Sequence, residues 1–361
     1  MAKAYPNLEG LRFAAAASVV VWHYQHFAWR GTDGSALVRA EEPFAGTLGI
    51  LYWYGENAVQ VFWLLSGFVF FSQYYDRIAS GAVGAREFAV RRFSRLYPLH
   101  LVTLLAVIAL QGLYRSLTDD YFVYESNSGV DVALHLVFAS QWPPGRGYSL
   151  NGPVWSVSLE ILAYITFFIA ARYLPKPYRL AAPALGLLVF GVGTHNRLSQ
   201  TLALFFIGGG AWTLAVDARR SRAVTGALTA VWCAGGVVLL AWLSRAAQGG
   251  AYLSGAVHIA MYLWAALAIA GLAALPQVTG RTARAMMWLG DMTYSSYLTH
   301  FPLQLVTVTA AALAGTALDW RSPWLLAGYL AAVFVTARVV YDKFELPWQN
   351  RIRAAAGTMS Q

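Results

Sequence analysis

Hydrophobic residues occur along this chain in runs that are long enough to span a bilayer. We count ten such runs, most of them near the roughly 20 residues that a transmembrane helix needs. They lie near residues 8–29, 56–75, 96–115, 152–172, 179–195, 198–216, 223–244, 254–275, 292–314 and 323–344. The pattern predicts an all-α polytopic membrane protein with about ten transmembrane helices.

The lysine and arginine residues between these runs alternate in density from one loop to the next. Cytoplasmic loops of membrane proteins are enriched in these residues. With the N-terminus placed inside, 17 of them fall in inner segments and seven in outer segments. A missed or invented helix would invert every later loop. The distribution therefore predicts an even number of helices with both termini in the cytoplasm.

Composition supports the membrane class and removes several others. The chain is 58% hydrophobic and only 12% charged, and its mean hydropathy of +0.49 lies outside the soluble range. The net charge of +9 could suggest nucleic acid, but the basic residues sit in short loops, so we expect no such partner. The single Cys233 forms no disulfide framework, and no spacing resembles a zinc site. We expect no metal and one domain over residues 1–361.

The first run contains ionisable residues in an otherwise apolar helix. Arg12 and His23 are eleven residues apart, so in an α-helix they share a face about 16 Å apart along the axis. Charge in hydrocarbon is costly unless it is paired or hydrated, so this face predicts the wall of a polar cavity. The alternative is an internal salt bridge and a buried, hydrogen-bonded histidine. His26 would be turned about 40° from the direction of Arg12 and would lie one turn nearer the outer water than His23.

Arginines cluster just before the third run. Arg92 and Arg95 have i, i+3 spacing and should share one helix face, with Arg86 and Arg91 close by. Such a cluster at the inner boundary can hold the phosphates of a cytosolic anion. The alternative is a basic anchor that contacts anionic lipid head groups.

The fourth run enters the membrane from outside through the sequence SLNGPVWSVSLE. Pro153 suits the first helical turn, and Asn151 before it could cap the helix or contact a ligand. Glu160 should lie about 10 Å below the outer surface, at a depth similar to that of His23. A carboxylate and an imidazole at one depth could form a base and its orienting partner. Alternatively, Glu160 pairs with another buried donor as a structural contact.

Two later runs carry further polar groups. His300 should lie near the middle of the ninth run, just before Pro302, whose ring must disturb the helix. A buried histidine can equally well be a structural residue. At the end of the tenth run, Arg338 and Asp342 have i, i+4 spacing and are expected to form an ion pair.

Taken together, the motifs LEGLR followed by His23, RRFSRLYP, GPVWSVSLE, YSSYLTH and FELP resemble the acyltransferase-3 family of integral membrane acyltransferases. The resemblance covers almost the whole chain. Arg12 and His23 match the family's arginine and histidine of the first helix, and Arg92 and Arg95 match its R-x-x-R motif. Glu9 stands where the family more usually has Asp.

The resemblance implies transfer of an acyl group, usually acetyl, from cytosolic acyl-CoA to a hydroxyl of a saccharide or similar acceptor. Together with the helix positions described above, this favours His23 as the general base or a transient acyl carrier, with Glu160 or another acid orienting it. The donor phosphates would bind to Arg12, Arg92 and Arg95. The acceptor would bind to Asn151, Trp155 and His300.

We expect a multi-pass protein of the inner (cytoplasmic) membrane that contacts membrane lipids and carries no appended extracytoplasmic domain. Buried arginine, histidine and glutamate would also suit a transporter or flippase of a lipid-linked molecule. Such a protein would be expected to have two halves with related broken segments, and no such pairing is seen.

Overall fold

The structure is a computed structural model that describes residues 5–143, 145–174 and 180–358. Regular structure in these residues is helical, apart from two isolated bridges. Lys3, Lys176 and Arg179, which contribute to the predicted inner basic segments, lie outside the described residues.

Fifteen α-helices are found in the described residues, and short 3₁₀ turns connect several of them. The helices are α1 Pro6–His23, α2 Ala45–Tyr54, α3 Ala58–Gln73, α4 Tyr75–Ala79, α5 Ala85–Thr118, α6 Gly129–Leu136, α7 Trp155–Tyr173, α8 Ala181–Gly193, α9 Arg197–Ala218, α10 Arg222–Gln248, α11 Gly255–Ala274, α12 Gly280–Asp291, α13 Thr293–Leu313, α14 Pro323–Val340 and α15 Leu346–Ala355.

Several helices are long and apolar enough to cross a membrane. Within the described residues these are six stretches, Ala85–Thr118, Gly152–Tyr173, Arg197–Ala218, Arg222–Gln248, Gly255–Ala274 and Pro323–Ala355. The remaining predicted spans correspond to α1, α3, α8 and α13, which are shorter or more polar. The all-helical, multi-pass architecture is thus confirmed. The count of ten and the orientation of the termini stay predictions.

The chain divides into two compact units. Unit 1 comprises the described parts of Met1–Ala15, Asn57–Gly84 and Leu159–Gly290. In it α3 packs closely along α9, because glycines replace larger side chains at the contact. A Cβ atom on Gly67 would lie 1.8 Å from the carbonyl oxygen of Phe205. One on Gly208 would lie 2.1 Å from the carbonyl oxygen of Leu64. The two backbones therefore approach as closely as helices can.

Unit 2 comprises Ala16–Glu56, Ala85–Ser158 and Asp291–Gln361, of which the last three residues are not described. Helix α13 packs against both α5 and α14, and α15 packs against α5. Its core is rich in aromatic residues, including Tyr24, Tyr52, Phe122, Phe301 and Tyr329. The unit therefore surrounds α13 with large rings and leaves its polar side chains buried.

Residues 132–138, between α5 and α7, form an apolar patch that is too short to span a membrane. The structure shows the short helix α6 there, which begins at a capping box formed by Ser128 and Asp131. Asp131 also forms an ion pair with Arg146 at 2.7 Å. At the other end of α6, Nε2 of His100 donates to the carbonyl oxygen of His135 at 2.8 Å. This loop is therefore fixed at both ends of its helix.

Candidate active site

His23 is the last residue of α1, and its side chain is almost completely buried, with 8% exposure. Its Nδ1 lies 2.8 Å from the carbonyl oxygen of Val19. Because a carbonyl oxygen only accepts hydrogen bonds, Nδ1 must carry the proton of the neutral ring. Nε2 therefore holds a lone pair, which is the state that a general base requires.

A change of helix type after His23 brings His26 close to it. Residues Tyr24–Ala28 form a 3₁₀ helix, in which residues three apart lie above one another. The ring centroids of His23 and His26 are 5.1 Å apart. The predicted 40° offset assumed a continuous α-helix, and the tighter turn makes that assumption wrong. The two histidines therefore belong to one cluster.

The third member of the cluster is His300 of α13, whose ring centroid lies 4.5 Å from that of His23. Nδ1 of His300 donates to the carbonyl oxygen of Ser296 at 3.3 Å. Its Nε2 is buried and has no hydrogen-bond partner within the described part of the chain. Since the side chain is fully buried, this nitrogen is an unused hydrogen-bond acceptor next to His23.

Asn151 lies just before the 3₁₀ turn Gly152–Val154 and does not cap it with its side chain. Instead, its Nδ2 donates to the carbonyl oxygen of Leu298 at 3.2 Å. Pro302, inside α13, has no N–H for the carbonyl four residues earlier, which is Leu298. Asn151 thus satisfies a carbonyl that the proline leaves unbonded. Its Oδ1 is buried and has no hydrogen-bond partner in the part of the chain that the structure describes.

The start of α7 is tied to α13 by a second group of hydrogen bonds. The hydroxyl of Tyr297 donates to the carbonyl oxygen of Pro153 at 2.7 Å, and it lies 2.7 Å from Oγ of Ser156. Trp155, which lies between Pro153 and Ser156 in the sequence, packs against Tyr148 with a distance of 5.9 Å between the ring centroids. The predicted acceptor residues Asn151, Trp155 and His300 are therefore all held in one unit of the fold.

Aromatic rings enclose the histidines. His26 has edge-to-face contacts with the rings of four residues at centroid distances of 5.6 to 6.4 Å, namely Trp29, Phe122, Tyr124 and Phe301. Such rings exclude water and keep the imidazoles uncharged. Sequence reasoning missed this enclosure, because its members come from distant parts of the chain.

Sequence reasoning also missed Gln304, which is fully buried in α13. Its Nε2 donates to the carbonyl oxygen of His23 at 2.7 Å, and its Oε1 lies 3.1 Å from Nδ1 of His26. The available signal was its i, i+4 spacing from His300, which places both side chains on one helix face.

Arg92 and Arg95 lie in the long helix α5, as their spacing predicted. Beside them, the buried Arg91 forms an ion pair with Glu87 at 2.9 Å. Nε of Arg353 in α15 donates to Oγ of Ser94 at 3.2 Å. The arginine cluster is thus built on rigid helices. Its role in donor binding stays a prediction.

Two predicted residues belong to unit 1, and both have structural contacts. Arg12 forms an i, i+3 ion pair with Glu9 at 2.9 Å. The carboxylate of Glu160 accepts hydrogen bonds from the hydroxyls of Ser66 and, at 2.7 Å, Tyr164. These contacts agree with the structural alternatives. The catalytic role of Glu160 and the donor-binding role of Arg12 stay predictions.

Two further acidic residues of unit 2 lie in the π-helical turn Tyr341–Glu345 that follows α14. Arg338 and Asp342 form the predicted i, i+4 ion pair, with Nε and Oδ2 at 2.7 Å. Glu345 is buried at the end of a π-helical turn and accepts a hydrogen bond from Oγ of Ser295 at 2.5 Å. The FELP motif thus anchors the start of α13.

Comparison with known proteins identifies the class. Residues 5–342 match the model of a family described as an acyltransferase domain, and the chain therefore belongs to the acyltransferase-3 family. It is also similar to acyltransferase MdmB of Streptomyces mycarofaciens, with 29% identity over 367 residues. That match covers 93% of this chain and 88% of the relative. No solved structure matches the chain. The protein is thus a transferase, as the motifs predicted.

Proposed function

We propose that this membrane-embedded O-acyltransferase moves an acyl group, most simply acetyl, from acyl-CoA to a hydroxyl of a saccharide acceptor. The observation that carries the proposal is the state of the histidines in unit 2. His23 offers a lone pair at Nε2, because its Nδ1 proton is bound by Val19. Nε2 of His300 and Oδ1 of Asn151 are buried acceptors without a partner in the described chain. Hydroxyl groups of an acceptor molecule are donors that would satisfy them.

The reaction then follows from the chemistry of a thioester and an alcohol. Nε2 of His23 removes the hydroxyl proton as the oxygen attacks the thioester carbonyl carbon. The C–O bond of the ester forms and the C–S bond breaks. The thiolate of CoA leaves and takes up the proton from His23, which returns to its neutral state. In the alternative route, His23 itself carries the acyl group between donor and acceptor.

The remaining predicted residues have supporting roles in this proposal. Arg92 and Arg95 bind the phosphates of the donor, because guanidinium groups make charge-assisted, two-point contacts with phosphate oxygens. Arg12 is assigned to the donor because it matches the family motif, and Glu160 is assigned to the orientation of His23 because the sequence predicts a similar depth for both. Trp155 and Tyr148 offer aromatic faces on which a sugar ring can stack.

The test uses the purified full chain in detergent with acetyl-CoA labelled in the acetyl group. Transfer of label to a saccharide, cleavage of the thioester or labelling of the protein supports the proposal. Label that remains on the protein identifies the acyl-His23 route. Absence of all three, together with flux of a lipid-linked sugar in liposomes, would show a transporter instead.

The proposed location is the cytoplasmic membrane with both termini inside. Cysteine labelling of intact cells tests this orientation. Cysteines introduced near Ser80 and Ser221 should be protected from an impermeant thiol reagent. Cysteines introduced near Gly34 and Ser128 should react with it. Labelling of Ser221→Cys from outside would contradict the ten-helix topology.

A further inference from the structure

Three histidines of unit 2 share one hydrogen-bonding pattern. In each ring, Nδ1 lies next to an oxygen on another group, which is the carbonyl oxygen of Val19 for His23 and that of Ser296 for His300. For His26 it is the side-chain oxygen of Gln304. Two of these oxygens are backbone atoms. The third belongs to a side chain, so a substitution can remove it.

The orientation of the Gln304 amide is fixed by chemistry. The carbonyl oxygen of His23 can only accept, so the atom of Gln304 that lies 2.7 Å from it must be the amide nitrogen. The amide oxygen then faces His26, and the Nδ1 of His26 must be the donor of that 3.1 Å bond. His26 consequently carries its proton on Nδ1 and a lone pair on Nε2.

The hydrogen bond from Gln304 to the carbonyl oxygen of His23 is made where α1 ends. His23 ends α1, and the chain then changes to the 3₁₀ helix Tyr24–Ala28. A buried amide that binds the His23 carbonyl fixes the position of this residue relative to α13, which also carries His300. Since an error of about 1 Å in a reacting group can reduce turnover about 100-fold, such a contact matters for rate.

We infer that Gln304 is a positioning residue for acyl transfer, which holds the backbone of His23 and selects the Nδ1–H tautomer of His26. The inference rests on the proposed function for its kinetic part only. Gln304 touches neither donor nor acceptor in this assignment and acts through the two histidines.

Gln111 supplies a matched control. It is also buried in unit 2, with 1% exposure, and it also makes one donor and one acceptor bond. Its Nε2 donates to the carbonyl oxygen of Phe122 at 2.9 Å, and its Oε1 accepts from the Phe122 N–H at 3.0 Å. Gln111→Met therefore removes the same two kinds of bond as Gln304→Met, but neither bond is to a histidine, and its effect reaches His26 only through the ring of Phe122.

The kinetic test compares purified, monodisperse Gln304→Met, Gln304→Glu and Gln111→Met. Gln304→Met should lower kcat about tenfold or more with a donor KM within about twofold of wild type, because only the position of the base changes. In its ionised form, the carboxylate of Gln304→Glu can accept from His26 but has no proton to donate to the His23 carbonyl. It should therefore lose nearly as much kcat. Gln111→Met should stay within about threefold of wild type.

A spectroscopic test does not depend on turnover. Nitrogen-15 NMR of histidine-labelled protein distinguishes a protonated from an unprotonated ring nitrogen. His26 should show the Nδ1–H tautomer in wild type and in Gln304→Glu, and a mixture of tautomers in Gln304→Met.

The outcomes separate the two claims. If wild type transfers no acyl group but His26 shows the expected tautomers, the proposed function fails and the positioning contact stands. An unchanged tautomer in Gln304→Met, or unchanged kcat in both Gln304 variants, would overturn the inference. Equal losses of kcat in Gln304→Met and Gln111→Met would show that Gln304 contributes only to packing.

Discussion

The two units of the molecule differ in how often a buried polar atom lacks a hydrogen-bond partner. Among the described residues, side chains that contain a buried polar atom without a hydrogen-bond partner are more frequent in unit 2 than in unit 1. Those of unit 2 include Trp29, His100, Asn127, His135, Ser140, Asn151 and His300, whereas unit 1 contributes Gln60 and Trp232. Such atoms are costly in a structural core and common where a ligand binds.

Unit 1 is assembled by close backbone contact. Glycines on α3 and α9 remove the side chains that would separate the helices. Its buried carboxylate at Glu160 accepts hydrogen bonds from two hydroxyl groups. Unit 2 instead buries three imidazoles next to one another, enclosed by aromatic rings. The α3–α9 contact of unit 1 is thus built on close packing, whereas unit 2 contains buried hydrogen-bonding groups that the proposed acceptor would satisfy.

The largest expected effect is on turnover in unit 2. His23→Ala should reduce acyl transfer by at least about 100-fold while the protein still inserts and accumulates, because the general base is lost. The measurement is acetyl transfer by variants that elute as monodisperse protein. His26→Ala is the matched control and should keep substantial activity, since Nε2 of His23 remains. Near-normal turnover in His23→Ala would make His23 structural and pass the catalytic role to His300 or Glu160.

The next effect concerns the donor. Arg92→Ala and Arg95→Ala should each weaken acyl-CoA use by about 1.5 to 3 kcal/mol, the value of a charge-assisted hydrogen bond. Lysine at either position should rescue only in part, because it lacks the planar two-point geometry. Donor KM and kcat/KM report the change.

Arg220→Ala controls for loss of positive charge, since Arg220 is exposed, with 77% side-chain accessibility. Unchanged donor affinity in both Arg92→Ala and Arg95→Ala would assign the cluster to lipid anchoring instead.

The α3–α9 contact of unit 1 should respond in stability rather than in chemistry. Gly67→Ala places a methyl group where the Phe205 carbonyl lies, so the helices must separate. The expected loss is about 1 to 3 kcal/mol, typical of overpacking. Thermal unfolding in detergent measures it. Gly46→Ala is the control, because no atom lies within 4 Å of the added Cβ. Equal behaviour of the two variants would contradict the close-packing argument.

The effect that is smallest near neutral pH is a pH dependence from helix α6 of unit 2. Burial, followed by the neighbouring His100, lowers the pKa of His135 from 6.5 to about 4. The unfolded chain therefore binds a proton more readily between these values, and stability falls as the pH drops from 6.5 towards 4. The slope from this residue is at most about 1.4 kcal/mol per pH unit.

Unfolding temperatures over this pH range, compared between wild type and His135→Gln, isolate the contribution. The slope should become shallower in the variant. An identical slope in both proteins would show that His135 does not carry the pH dependence.

Much of the protein could be predicted from sequence because the relevant signals are local. Runs of apolar residues give helices and a membrane, and i, i+3 spacing puts Arg92 and Arg95 on one face of α5. The ion pair of Arg338 with Asp342 follows from the same periodicity. The motifs around these residues also indicated the family, which the comparison confirmed.

The tertiary structure decided which polar groups meet. His23 and Gln304 are 281 residues apart, and Asn151 and Leu298 are 147 apart. Helical periodicity carries no information about such pairs, since it describes one segment at a time. Even the relation of His23 to His26, three residues away, was mispredicted, because a 3₁₀ turn replaces the α-helix. The sequence alone thus determined the helices and the family, and it indicated the candidate site residues. Only the packing of α13 against the end of α1 and the start of α7 brought His23, His300 and Asn151 into one site, because contacts between distant segments form when helix faces bury each other.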